Sequence, residues 1–159
     1  MADYFLKIDG IVGESQDAKH PGEIELESFS WGETQQGLPG PRGGGGAAGK
    51  VQVEDFHFTM QASKASPQLL LACTSGQHLK SAAVTARKTG EDQQEFLVYT
   101  FSDLLISSYR TGATADQLPV DEVAFSFAQI SVEYRPQKAS GELDTPIHVA
   151  WDVRANRKL

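Results

Sequence analysis

The chain has 159 residues, enough for one domain with a full hydrophobic core. Hydrophobic residues make up 40% and charged residues 22%, which is typical of a globular protein and unlike a disordered one. The net charge of −7 argues against general nucleic-acid binding and against a basic membrane-binding patch, since both need clustered Lys and Arg.

The first residues, MADYFLKIDG, contain no apolar run of the kind found in signal peptides, so we expect no cleaved leader. We also expect no direct membrane insertion, because the chain has no apolar stretch of about 18 residues. Cys73 is the only cysteine, which excludes an internal disulfide and suits a protein made in a reducing cytoplasm.

Alternation of apolar and polar residues predicts two early strands. The first covers Tyr4–Ile8 and stops at Asp9-Gly10. After a polar loop, Ile24 and Leu26 alternate with glutamates, as expected of a half-buried strand.

Beyond Ser28 the apolar residues move from even-numbered positions to odd-numbered ones, Phe29 and Trp31. We call this a change of parity. Such a change inside one strand predicts a bulge or burial on both sides. It also puts Ser28 and Ser30 together on the face opposite Phe29 and Trp31.

A long loop rich in Gly and Pro is predicted from Gln35 to Lys50. Its end, residues 44–50, matches most of a phosphate-binding motif, but Val51 replaces the hydroxyl residue and a strand pattern follows instead of a helix. We therefore do not expect nucleotide binding. Composition alone leaves two alternatives open, a flexible linker or an arm that orders on a neighbouring subunit.

A second change of parity follows the loop, from Val51 and Val53 to the strand Phe56, Phe58 and Met60. Ser66-Pro67 then predicts a helix start, with Ser66 as N-cap and Pro67 as the first helical residue. The predicted helix is Pro67–Ser75, ended by Gly76.

The remaining pattern predicts strands at Leu79–Lys88, Glu95–Ser108, around Val123–Tyr134 with a bulge near Ala128-Gln129, and at Ile147–Val153. Seven or eight long antiparallel strands and one short helix predict a mainly β chain. We expect one domain over residues 1–159, a small β-barrel of two packed antiparallel sheets with a flanking helix and an extended loop.

No catalytic, cofactor or metal site is predicted. The four histidines, at positions 20, 57, 78 and 148, lack ligand spacing and are expected at the surface or at strand edges. Cys73 follows Leu-Leu-Leu-Ala, so we expect it to pack in the core rather than act as a nucleophile. The two-sided apolar run at Phe96–Tyr99 suggests a face that meets another subunit.

Several motifs lie in order along nearly the whole chain: Tyr4–Ile8 with Gly13-Glu14-Ser15, Phe29-Ser30-Trp31-Gly32, Gly43 to Gly46 with Ala48 to Val51, Ser66-Pro67 with Leu71-Ala72-Cys73 and Ser75-Gly76, and Phe127-Ala128-Gln129 with Tyr134 to Lys138. Together they resemble the haemolysin-coregulated protein (Hcp) family, the tube subunit of bacterial type VI secretion.

The resemblance implies a non-enzymatic subunit that forms homohexameric rings stacked into a hollow tube. Such a tube is assembled in the bacterial cytoplasm, carries effector proteins in its lumen, and is driven out by a contractile sheath and baseplate behind the spike protein VgrG. Export then needs no cleaved signal.

The resemblance also implies site residues. It places Ser30 toward the channel, and the parity of the strand adds Ser28 as a second effector-contact candidate. It favours the interpretation of the loop as an arm that orders on a neighbouring subunit. The candidate ring contacts in this arm are Gln36, Leu38, Pro41, Arg42, Gly43, Gly44, Gly45, Gly46 and Lys50.

Two rivals stay open. A tail-tube protein of a phage-like contractile particle would share the barrel and the ring but pass DNA through its lumen. A monomeric ligand-binding barrel, or a small enzyme of the same architecture, would form no ring.

Overall fold

A computed structural model of the chain describes residues 1–35, 51–90 and 92–159. The described residues form one α-helix, α1 (Ala65–Ser75), and eleven strands. The strands are β1 (Ala2–Ile8), β2 (Ile24–Glu25), β3 (Ser28–Ser30), β4 (Glu33–Thr34), β5 (Gln52–Val53), β6 (Phe56–Gln61), β7 (His78–Lys88), β8 (Glu95–Gly112), β9 (Val120–Tyr134), β10 (Ile147–Asp152) and β11 (Arg157–Lys158).

The expected two packed sheets are two halves of one nine-stranded antiparallel sheet. One half runs β11-β10-β9-β8-β7-β1-β2, and the other contains β3 and β6, which join through β9. Along one edge, β9 pairs with β8; along the other, its first residues pair with β6 and its last with β10. The long strands β8 and β9 therefore belong to both halves, and β4 pairs with β5 in a separate ribbon.

Aromatic side chains fill the space between the two halves. Phe56, Phe101 and Phe125 are fully buried, and Phe58 is nearly so. The Phe56 ring centroid lies 5.0 Å from that of Phe101 and 5.0 Å from that of Phe125. Rings contributed by β6, β8 and β9 thus join the two halves in one core.

The two changes of parity are changes of partner strand rather than bulges. Leu26 donates its N–H to the carbonyl of Tyr4 in β1, whereas Glu27 donates to the carbonyl of Thr59 in β6. The chain therefore leaves one half of the sheet and enters the other between these residues. The same happens after the loop, where β5 pairs with β4 but β6 pairs with β3 and β9.

The predicted bulge near Ala128-Gln129 is wrong in its position. The register between β8 and β9 is the same on both sides of that point, and the register shift lies between Ile106 and Ser108. Asp103, opposite Ala128, has a positive φ of 58°. The unusual backbone conformation at this point is therefore in β8, and no extra residue is inserted into β9 there. Strand β8 also continues past its predicted end, to Gly112.

The helix is confirmed, but its predicted cap is wrong. The helix begins at Ala65, so Ser66 and Pro67 lie inside its first turn. The Ser66 hydroxyl donates instead to the buried carboxylate of Asp121, and Ser63 Oγ accepts the N–H of Ala65. Gly76 ends the helix in the left-handed conformation, φ 66°, as predicted.

His20 is a correction to the expectation of surface histidines, since it is only 7% exposed. Its Nδ1 lies 2.9 Å from Glu23 Oε2, and its Nε2 lies 2.6 Å from Glu95 Oε1. The imidazole also stacks on Phe5, with ring centroids 4.4 Å apart. Local spacing could not reveal this position, because Glu95 lies on a distant strand. The other histidines, at 57, 78 and 148, are exposed as expected.

Arg87 in β7 is a buried cation beside the loop of residues 9–23, which also contains His20. Arg87 is only 4% exposed. Its guanidinium donates to both carboxylate oxygens of Asp17, at 3.0 and 2.8 Å, and to Asp3 at 3.2 Å. The guanidinium carbon also lies 4.7 Å from the centroid of Phe5. These contacts fasten the polar loop before β2 onto β7 and β1.

The hydrogen bonds from Arg87 hold the pKa of Asp17 well below its usual range. A lowered folded-state pKa contributes stability above the unfolded pKa of about 3.9, and this contribution is lost as pH falls. We expect Asp17→Asn to lower the free energy of unfolding at pH 7, with the difference narrowing below pH 4. Urea unfolding at pH 7, 5 and 3 measures this, with the exposed Asp116→Asn as control. A difference that stays constant with pH would contradict the assignment.

Candidate functional site

The outer surface of β3, β6, β8 and β9 forms a polar face behind the aromatic core. We define the polar face by eight residues that line one depression of about 360 Å³: Ser28, Ser30, His57, Thr59, Ser108, Arg110, Glu122 and Ala124. Ser28 and Ser30 are exposed, while Phe29 between them packs against the core. The alternation in the sequence predicted this arrangement of β3.

Strand register arranges the polar face in two parallel rows. In the first row, Ser28 lies opposite Thr59, Thr59 opposite Glu122, and Glu122 opposite Arg110. The second row runs across the same strands in the same way and contains Ser30, His57, Ala124 and Ser108. Directly opposed side chains lie close enough to act together, so the first row presents one continuous surface. The second row is interrupted at Ala124, which is only 3% exposed.

Hydroxyl groups dominate one end of the polar face. Ser28 Oγ and Thr59 Oγ1 are 2.6 Å apart and form a hydrogen bond, which orients the Ser28 side chain. Ser30 lies beside them, opposite the exposed imidazole of His57. Arg110 and Glu122 bring opposite charges to the other end. The surface can form many weak hydrogen bonds without a strong charge of either sign.

The sequence predicted the positions of Ser28 and Ser30, but it did not predict which residues of other strands join them on the polar face. His57, Arg110 and Glu122 reach the polar face only through pairing between strands far apart in the chain. Their alternation marks them as exposed, but not as neighbours of β3.

The described residues contain no group of three or more His, Cys, Asp or Glu side chains placed to hold a metal ion. Cys73 is partly buried and packs against the hydrophobic core. Within the same ranges, none of the helical structure has both the length and the apolar character needed to span a bilayer.

A second polar cluster, around Asp121, lies inside the protein near the start of α1. Asp121 is fully buried and accepts the Ser66 hydroxyl. Burial, with a smaller effect of Asp121, raises the pKa of Tyr109, so this phenol stays neutral at physiological pH. The cluster ties α1 to β8 and β9 and has a structural role.

The predicted arm contacts lie outside the described residues. They are Gln36, Leu38, Pro41, Arg42, Gly43, Gly44, Gly45, Gly46 and Lys50. The described residues on either side form the β4–β5 ribbon, in which Glu33 pairs with Val53 and Thr34 with Gln52. The described residues on the two sides of this segment therefore lie next to each other, and they are close in the chain to β3, which carries Ser28 and Ser30.

Comparison with known proteins gives a consistent family. Residues 5–134 match the family described as "Type VI secretion system effector, Hcp". The chain is also 43% identical to the protein hcp1 of Pseudomonas aeruginosa over 157 residues, which covers 97% of this chain and 96% of that protein.

Solved structures with these names share the fold over the full chain. A structure described as a type six secretion system protein has a TM-score of 0.92 at 28% identity and covers 100% of both chains. Hcp1 from Salmonella typhimurium has a TM-score of 0.83 at 34% identity and covers 99% of both chains.

Proposed function

Because this chain belongs to the Hcp family of type VI secretion proteins, we propose that it is a tube subunit that closes into homohexameric rings. The rings stack into a hollow tube, and the lumen carries effector proteins for export. The role is structural and depends on binding, without a catalytic step.

The observation that carries this proposal is the polar face. A strand surface in which four of the eight side chains are small hydroxyls, open on one side and backed by a buried aromatic core on the other, suits a wetted channel wall. Such a wall must hold a protein cargo and later release it, so weak hydrogen bonds serve better than strong ion pairs. Ser28 and Ser30 are the proposed contacts on this wall.

The segment between β4 and β5 is the proposed assembly arm. Its ends are fixed side by side by the β4–β5 ribbon, so an extended loop can project to a neighbouring subunit without disturbing the core. Its Gly content permits close approach of one backbone to another.

The proposed partners are further copies of the chain, the spike protein VgrG, the contractile sheath and baseplate, and effectors in the lumen. We propose assembly in the bacterial cytoplasm followed by secretion without a cleaved signal peptide. Nucleic acid and membrane are not proposed partners.

Size-exclusion chromatography with light scattering tests the proposal most directly. We expect a mass of six chains for the purified protein. A monomer at all concentrations, with a bound small molecule, would instead support a ligand-binding barrel.

Enlarging the side chain at position 30 tests the channel wall. We expect Ser30→Gln to keep the ring mass and to reduce retention of a co-expressed effector by about tenfold, equivalent to about 1.4 kcal/mol. The longer side chain fills the depression and displaces the contacts of Ser30 and Ser28. Co-purification measures retention, with Ser140→Gln on an exposed loop as control. Normal retention by Ser30→Gln would count against a lumen position for this residue.

A further inference from the structure

The buried imidazole of His20 lies between two carboxylates from different parts of the fold. We call residues 9–23, which connect β1 and β2, the β1–β2 loop. Within this loop, His20 Nδ1 lies 2.9 Å from Glu23 Oε2. On its other side, His20 Nε2 lies 2.6 Å from Glu95 Oε1, at the start of β8. Each ring nitrogen therefore faces a carboxylate oxygen at hydrogen-bond distance, and His20 joins the loop to β8.

Two carboxylate acceptors require two N–H donors. A neutral imidazole has one N–H and one nitrogen lone pair, whereas the charged form has an N–H on each nitrogen. If His20 were neutral, its lone pair would face the oxygen of Glu23 or of Glu95, and that oxygen would have no donor from the ring. His20 is only 7% exposed, so little water is available to replace the lost hydrogen bond.

The ionisable groups around His20 and its neighbour Arg87 are mostly acidic. They come from the loop, β1, β7 and β8, and they are Asp3, Asp17, Lys19, Glu23, Arg87 and Glu95. Lys19 is exposed, and Arg87 already binds Asp3 and Asp17. Among the described residues, Glu23 and Glu95 form ion pairs with His20 alone. The surroundings therefore favour a positive charge on His20.

Phe5 adds a further contact that suits a charged ring. Its centroid lies 4.4 Å from that of His20, and the two rings are nearly parallel, with an angle of 9° between their planes. The face of an aromatic ring carries partial negative charge and attracts a cation. Phe5 is 2% exposed, so this attraction acts in a nearly dry site.

We propose that His20 is a pH-sensitive latch, which in its charged form holds the β1–β2 loop against β8 and on losing its proton releases it. In the described part of the chain, two ionic contacts join this loop to the sheet, His20 to Glu95 and Asp17 to Arg87. Histidine is the side chain that ordinarily changes charge between pH 5 and 8, so only the first contact is sensitive to pH near neutrality. Because the stabilising partners bind the protonated form, the contribution is present at acidic pH and is lost as pH rises.

NMR of the full chain with ¹⁵N-labelled histidine tests the protonation of each ring nitrogen. We expect both nitrogens of His20 to carry a proton at pH 7, at which an exposed histidine is mostly neutral, and one proton to be lost by pH 9. His20→Gln assigns the signals by removing them. A lone pair on either nitrogen of His20 at pH 7 would overturn the proposal.

Amide hydrogen exchange, corrected for its intrinsic dependence on pH, measures the release of the loop. We expect the protection of residues 12–23 to fall by at least about tenfold between pH 7 and pH 9, because a buried acceptor loses its donor. Protection in β8 and β9 should stay the same. Exchange at residues 12–23 that is equal at the two pH values would contradict the latch.

Glu95→Gln is the matched variant for this measurement. An amide group can donate to a neutral imidazole or accept from it, so protection of the loop should no longer change between pH 7 and pH 9. His148→Gln, which removes an exposed histidine, should behave as the unmodified chain does. If the loop of Glu95→Gln keeps the original pH dependence, the Glu95 contact is not the latch. Circular dichroism checks the fold of both variants, and the NMR result on the unmodified chain decides the question even if a variant does not fold.

Discussion

Truncation of Phe56 to alanine is expected to lower the free energy of unfolding by about 3–5 kcal/mol, the range for large-to-small changes at buried aromatic sites. Phe56 is fully buried and lies where the two halves of the sheet meet. Its ring centroid is 5.0 Å from Phe101 and Phe125, and 5.5 Å from Phe29. Partners on three other strands cannot all move inward, so a cavity is left.

Urea unfolding at fixed, low protein concentration measures this loss, because assembly would otherwise add to the apparent stability. Phe56→Leu is the graded control and should cost clearly less, since it retains most of the buried apolar volume. A loss below about 1 kcal/mol for Phe56→Ala would mean that the core can collapse around the missing ring, contrary to the packing described.

Deletion of Gly40–Gly49 is expected to weaken ring closure or ring stacking severely while the barrel stays folded. The deleted residues lie outside the described structure, and their flanks are held together by the pairing of β4 with β5. A shorter connection can therefore join Thr34 to Gln52 without separating core strands. Loss of the proposed arm is expected to remove contacts to a neighbouring subunit, while all of the described core contacts are kept.

Electron microscopy and light scattering measure ring and tube formation by the deletion variant, and circular dichroism measures its fold. Deletion of Thr114–Gln117, an exposed stretch of the β8–β9 loop, shortens the chain elsewhere and is the control. Unchanged rings and tubes in the Gly40–Gly49 deletion would rule out the assembly-arm role.

Local signals in the sequence were sufficient for most of the strands and for the helix. Alternation located β1, β6, β7 and most of β8 and β9, because in a sheet covered on one side the burial of each residue follows its parity. Gly76 marked the end of α1 because a left-handed residue closes the helix there. The same alternation put Ser28 and Ser30 on one exposed face of β3.

Other predictions failed where a distant residue decides the outcome. Ser66 has the chemistry of an N-cap, yet its hydroxyl donates to Asp121. His20 lacks any local signal for burial, but Phe5 and Glu95 enclose it. In both cases the residue satisfies a buried or charged group that is far away in the sequence, and that interaction overrides the local preference.

By itself the sequence determined the mainly β character, the single helix, the family and the exposed hydroxyls of β3. Only the tertiary structure decided that the changes of parity before β3 and before β6 are changes of partner strand, and that His57, Glu122 and Arg110 join Ser28 and Ser30 on one face. The physical reason is that burial alternates from one residue to the next within a strand, and this alternation is visible in the local sequence. Register between strands depends on which distant residues pack and pair, which no local pattern contains.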